Sequence, residues 1–232
     1  MGNSKKDDIA RLKRERRDSK ANKSRKANTR LKRVRFLIVC EGEQTEPNYF
    51  RALIDDRTSV VREVHIDGGG CVTLSLVNRA LQIKNDLEKD NDFEFDSVWV
   101  VFDKDDFKDF NDAINLAKQY KFKPAWSNEA FELWYYLHFE YLDTAIGRHD
   151  YIQKLQNLIR KKINDPSFKY HKNDRDFYSL LQKIGNESLA KRYAKRLRKM
   201  YRGTDYAKHC PRTEVDLLVD ELDNPENLLK ND

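Results

Sequence analysis

Arg35-Phe-Leu-Ile-Val-Cys-Glu-Gly-Glu-Gln-Thr-Glu46 is an apolar run that stops abruptly on a carboxylate, and Ser97-Val-Trp-Val-Val-Phe-Asp-Lys-Asp-Asp106 repeats that pattern later in the chain. Each run is short, continuous and rich in β-branched and aromatic residues, as a parallel strand covered on both faces should be. The first ends in Glu41, with Glu43 and Glu46 close behind; the second ends in Asp103 and Asp105, with Asp106 adjacent. In an open parallel sheet, ligands bind just beyond the carboxyl ends of the strands. Two acidic strand ends therefore converge on one spot. Converging carboxylates repel and raise one another's pKa unless a cation offsets them. Mg²⁺ (or Mn²⁺), a hard cation that takes oxygen ligands, meets that need.

The neighbouring sequence supplies the rest of such a sheet. Thr45 reads as the N-cap of a helix with Pro47 in its first turn, where a missing N–H costs little. Tyr49, Phe50, Leu53 and Ile54 follow at helical spacing. Val60 to Ile66 reads as a second strand, ending before Gly68-Gly69-Gly70, and a helix follows to about Lys89. Val98 to Phe102, Phe110 to Tyr120 and Phe122 to Trp126 read as strand, helix and strand. The order β-α-β-α-β-α-β predicts an α/β fold with a mostly parallel sheet flanked by helices. Ser127 and Asn128 are N-cap candidates for an aromatic-rich helix over 129–139. Helices are expected over 150–163, 174–185 and 187–201, with a short amphipathic stretch to Leu222. The expected organisation is a basic arm (1–33), a metal-binding core (34–140) and a helical C-terminal region (141–232) packed on that core.

The 232 residues carry a net charge of +6, but the distribution is uneven. Lys5 to Arg33 holds fourteen Lys or Arg against four carboxylates, a net of +10, which leaves about −4 for the remainder. Such an arm, flexible or partly helical, binds phosphates through counterion release without sequence specificity. Arg14, Arg17, Arg25 and Lys26 are its candidate nucleic-acid contacts; a solubilising tail is the plainer alternative. No apolar stretch approaches the roughly 18–20 residues that span a membrane, and no apolar core follows the N-terminal basic residues. Cys40, Cys71 and Cys210 are odd in number and widely spaced, which predicts reduced thiols and a cytoplasmic protein.

Phosphodiester hydrolysis needs a metal to neutralise and orient the phosphate, and a group to manage the proton of the attacking water. Glu41, Asp103 and Asp105 fit both requirements; the plainer alternative is that Asp-Lys-Asp-Asp is a solvated loop capping the next helix. Glu46 and Glu132 are further candidates for the same mouth, since a buried Glu is rarely without a partner. Ser127 and Asn128 either hydrogen-bond a phosphate at a helix N-terminus or merely cap that helix. Lys195 and Arg198 on the basic helix form either a nucleic-acid rim or a solvated face. The five histidines lack zinc-site spacing, and the glycine triplet lacks a phosphate-loop pattern.

Ile38-Val-Cys-Glu-Gly-Glu-Gln-Thr-Glu-Pro-Asn-Tyr-Phe50, Val98-Trp-Val-Val-Phe-Asp-Lys-Asp-Asp106 and Ala125-Trp-Ser-Asn-Glu-Ala-Phe-Glu-Leu-Trp-Tyr-Tyr-Leu-His-Phe139 together resemble the RloB family of the TOPRIM superfamily. Pro211 to Leu222 resembles the family's C-terminal signature, and Tyr170-His-Lys172 its Tyr-x-Lys element. Cys-Pro-Arg-Thr213 stands where the family usually has Asn-Pro-Ser-Thr, and Glu129 where it usually has Pro. The resemblance implies a TOPRIM-like fold. It assigns Glu41 as general acid/base or metal ligand, Asp103 and Asp105 as Mg²⁺ ligands, and Lys172 as a catalytic phosphate contact. It further implies a nuclease of bacterial anti-phage defence, acting on DNA or RNA beside an ABC-type or AAA ATPase partner.

Rival readings remain open at this point: a primase-like nucleotidyl transferase, or a non-catalytic nucleic-acid-binding or ATPase-regulating subunit. A phosphoryl-accepting receiver is disfavoured. It would carry its acidic pair after the first strand, where this chain has Glu-Gly.

Overall fold

The computed structural model describes Lys13 and residues 33–57, 62–71, 73–104 and 108–229. Four strands, β1 (Val34–Cys40), β2 (Arg62–Gly68), β3 (Ser97–Lys104) and β4 (Lys123–Asn128), form one sheet in the order β2-β1-β3-β4. All pairings are parallel. Helices α1 (Thr45–Asp56), α2 (Thr73–Asn91) and α3 (Phe110–Gln119) make the crossovers. After β4 come α4 (Glu132–Leu137), α5 (Arg148–Ile163), α6 (Phe177–Ile184), α7 (Glu187–Arg198), α8 (Val215–Asp223) and α9 (Glu226–Leu229). The result is an α/β, TOPRIM-like arrangement: the β-α alternation predicted the parallel sheet with its flanking helices, and the family resemblance the TOPRIM-like fold.

Period-two alternation sorts the strand residues between two apolar layers. Phe36, Ile38, Trp99 and Val101 face a large cluster built with α1 and α4 to α8. Leu37, Val39, Val100 and Phe102 face a smaller one built with α2 and α3. Both layers are apolar, which is why Phe36 to Cys40 of β1 and Val98 to Phe102 of β3 are apolar at every position rather than every second one. Full burial of each such side chain contributes roughly 1.5–3 kcal/mol before chain entropy is counted. Tyr49, Phe131 and Tyr135 meet edge-on or tilted at 5.2–5.7 Å between ring centres in the larger layer. That packing locks α1 against α4.

The segment before α8 closes one sheet edge. Asn128 N–H donates to the Arg212 carbonyl and Glu214 N–H to the Trp126 carbonyl, both at 2.8 Å. Pro124 precedes these positions on the same edge by the two-residue period, so its missing N–H costs no ladder bond. Charged pairs fasten the helical region. Arg198 grips the buried Asp216 with two bonds of 2.7 and 2.9 Å. Arg57 joins Glu187 and Asp223, and Lys191 reaches Asp223 at 2.7 Å.

Several boundaries differ from the sequence expectation for identifiable reasons. The second strand runs to Gly68 rather than Ile66 and is described from Arg62. The aromatic helix begins at Glu132, not Glu129, because Glu129 adopts φ 75°, a left-handed turn no proline ring could make. Ser127 and Asn128 therefore end β4 and cap nothing. Thr45 is the first residue of α1, and its hydroxyl donates to the Lys172 carbonyl at 3.0 Å instead of capping. No helix among the described residues is long and apolar enough to cross a membrane.

Candidate active site

The carboxyl ends of β1 and β3 open into a cavity of about 490 Å³ whose lining includes Glu41, Glu43, Glu46, Asp103, Arg148 and Lys172. Glu41 follows β1 directly. Its N–H donates to the Val101 carbonyl at 2.8 Å, and its Oε2 accepts from the Asp103 N–H at 3.0 Å. The first acidic strand end thus rests on the second, as parallel pairing of β1 with β3 requires. Glu46 comes from the first turn of α1 and is buried. Gly42 makes room for it: a Cβ at that position would lie 2.1 Å from Glu46 Oε2. That contact gives the Glu-Gly pair a steric reason.

Crowding sets the electrostatics. Burial, with the Glu132 and Glu41 carboxylates adding, pushes the Glu46 carboxyl up to about 7, while Lys172 pulls the other way. Burial, then Glu46 and Glu132, hold Asp103 well above the usual carboxylate range; Arg148 and the Phe131 backbone N–H oppose them. Glu132 is almost fully buried on α4. It accepts from the Tyr170 hydroxyl at 3.1 Å and pairs with Lys172 Nζ at 3.7 Å. The Tyr-x-Lys element therefore closes on Glu132, and Lys172 stands at the cavity wall with its side chain half exposed.

Arg148 is the site residue that the sequence did not disclose. At the start of α5 it sends one guanidinium nitrogen to 3.4 Å from Asp103 Oδ2. Its Nε and Nη2 also donate to the Glu129 carbonyl at 3.2 and 2.9 Å. A lone arginine in a polar connection carries no pattern that would mark it.

Other candidates lie elsewhere. The Ser127 hydroxyl bonds Thr213 Oγ1 at 2.9 Å, and the Asn128 amide donates to the Tyr206 and Ala207 carbonyls. Both side chains tie β4 to the C-terminal segment. Arg198 is consumed by Asp216 and Glu214, so the rim reading fails for it; Lys195 on the same helix is exposed. Asp105, Arg14, Arg17, Arg25 and Lys26 lie outside the described residues.

Among the described residues, no three His, Cys, Asp or Glu side chains draw close enough to enclose a metal by themselves. Mg²⁺ does not ask for that. It keeps several waters and is held through one or two carboxylates plus substrate phosphate. Glu41 and Asp103, hydrogen-bonded in tandem and crowded by Glu46, form a donor set of that kind, and a cation there would relieve the repulsion.

Comparison with curated proteins and with solved structures gives no match. The family model described as RloB-like protein matches residues 36–222, from within the first strand to within α8, and covers every residue of the cavity named above. The chain belongs to the RloB-like family.

Proposed function

We propose that this protein is a Mg²⁺-dependent nuclease of the TOPRIM superfamily, cleaving phosphodiester bonds in DNA or RNA, tRNA included. In this reading it is the toxic effector of a bacterial anti-phage system, cytoplasmic and paired with an ABC-type or AAA ATPase. One observation carries the chemistry: among the described residues, the cavity at the strand ends brings the carboxylates of Glu41, Glu43, Glu46 and Asp103 together with the cations Arg148 and Lys172. An anionic phosphate enters such a cavity only in company with a divalent cation. The defence role and the ATPase partner rest on the family resemblance alone.

Hydrolysis forms a bond from the water oxygen to phosphorus and breaks the bond to the leaving ester oxygen, which takes up a proton. A bound Mg²⁺ or Mn²⁺ supplies charge neutralisation and an anchor for phosphate oxygens. Glu41, Asp103 and Asp105 would hold it. Glu46, pushed up to about 7, sits in the range where a carboxyl both takes and returns a proton. Lys172, steadied by Glu132, brings a positive charge to the phosphate.

The test is co-expression toxicity in a bacterial host for wild type, Glu41→Ala and Asp103→Ala, with and without phage and the neighbouring ATPase. DNA and tRNA integrity are followed together, and the purified chain is assayed with Mg²⁺, Mn²⁺ or chelator. Metal-dependent cleavage by wild type alone is the expected result. Toxicity that persists in both variants, without cleavage, would make the chain a binding or regulatory subunit.

A further inference from the structure

We propose that the outer edge of β4 is a docking site for an extended segment of a partner protein, one that alternates apolar and acidic side chains and adds to the sheet as a fifth strand. The chain itself leaves this edge open. Pro124, Trp126 and Asn128 turn their backbone groups outward, because the alternate residues of β4 bond to β3. The segment 212–214 begins an antiparallel ladder there, with a bridge from Thr213 to Ser127 and bonds at the Asn128 N–H and the Trp126 carbonyl. It goes no further, since the chain turns into α8 at Val215. Among the described residues, nothing then bonds the Trp126 N–H or the Pro124 carbonyl. Trp126 is only 2 % exposed, and a buried N–H without an acceptor is rare in folded proteins. A carbonyl on an added strand supplies one.

The edge lies in a groove of about 510 Å³ with walls from both layers, Leu217 and Glu221 of α8 on one side and Lys118 of α3 with Tyr206 on the other. Successive side chains of an added strand point to these two sides in turn. On the α8 side, Leu217 is a large apolar side chain left exposed. On the α3 side, Lys118 is exposed and donates to the Tyr206 hydroxyl at 2.6 Å, with its Nζ 4.5 Å from that ring's centre. No carboxylate among the described residues pairs with it. The groove's other cations, Lys123 and Arg212, are matched by Glu221 and Glu214. One positive charge is therefore in excess, which selects an apolar residue for one side and a carboxylate for the other. The groove flanks the amino-terminal half of β4, away from the strand-end cavity, and the two share no lining residue among those described.

The experiment titrates the full chain with two fluorescein-labelled synthetic peptides, Val-Glu-Val-Glu-Val and Val-Lys-Val-Lys-Val. Binding is read by anisotropy, and the Trp126 amide is followed by NMR in isotope-labelled protein. The Glu peptide should bind about tenfold more tightly than the Lys peptide, and Lys118→Glu should reverse that order. Lys118 is exposed, so the variant keeps its fold, and the reversal itself reports a folded protein. Leu217→Asp should weaken the Glu peptide about tenfold. Binding should move the Trp126 amide proton downfield and slow its exchange with solvent. Equal binding of the two peptides, or none, would overturn the proposal; so would a preference that survives Lys118→Glu or a Trp126 amide that stays unmoved. Self-association seen by analytical ultracentrifugation and lost in Leu217→Asp, without peptide binding, would overturn it too and make a second copy of this chain the occupant.

Discussion

Substituting His138 with Gln isolates a pH-dependent part of the stability that the fold builds in. His138 closes α4 and is 2 % exposed, edge-on to Trp134 at 4.8 Å between ring centres. Its Nδ1 lies 2.9 Å from the Trp134 carbonyl, so that nitrogen carries the hydrogen, and Nε2 is buried with no hydrogen-bond partner. Burial lowers its pKa to about 4. The Trp134 carbonyl and Glu187 pull it upward, and Arg57 and Lys191 push it further down. In the unfolded chain it titrates near the ordinary ~6.5. As pH falls from about 6.5 to 4, the unfolded chain takes up a proton that the folded protein refuses, so stability falls with pH through that window. Linkage makes the loss about 2 kcal/mol at pH ~5, approaching about 3 kcal/mol below pH ~4. Gln can donate to the same carbonyl and does not titrate. Urea unfolding of wild type and His138→Gln near pH ~7.5 and ~5 gives the two stability differences, and subtraction cancels the carboxylates common to both proteins. The wild-type advantage should shrink by about 2 kcal/mol at the lower pH. A change under ~0.5 kcal/mol, or one of opposite sign, refutes the assignment of a buried neutral imidazole.

Three other outcomes are expected. Glu132→Gln removes the charge that, after burial, contributes most to the raised Glu46 carboxyl, so its NMR titration midpoint should move below about 7; an unmoved midpoint would break the coupling. Arg198→Met strands the buried Asp216 carboxylate and should cost about 3–5 kcal/mol in urea unfolding, most of it regained when Asp216→Leu is added; a single-variant loss below ~1 kcal/mol would show the pair to be incidental. Mg²⁺ at about a hundred times its Kd should stabilise wild type by about 2.7 kcal/mol, with a matching rise in Tm, and leave Asp103→Asn unmoved. An equal rise in both proteins would place the ion elsewhere.

The strands were legible because a parallel strand covered on both faces leaves a continuous apolar run, and β1 and β3 carry such runs. Their acidic ends were legible for the same reason, since a carboxylate at the close of a buried run has nowhere to be but the strand mouth. Ser127 and Asn128 misled because the same polar residues serve a helix cap or a strand end equally well. The choice was made by Thr213 and by the carbonyls of Tyr206 and Ala207, which lie about eighty positions further along.

By itself, then, the chain's sequence determined the parallel α/β core and the meeting of Glu41 with Asp103, because local periodicity and strand order imply both. Which charges are spent and which face the cavity was decided only in three dimensions. Arg148 and Arg198 look alike in the sequence, both arginines on polar helices. Arg198 falls against the buried Asp216 away from the cavity, whereas Arg148 pairs with Asp103 and the Glu129 carbonyl at the edge of the carboxylate cavity. Such partners lie far apart in sequence, and the charge of a side chain says nothing about what the fold will bring beside it.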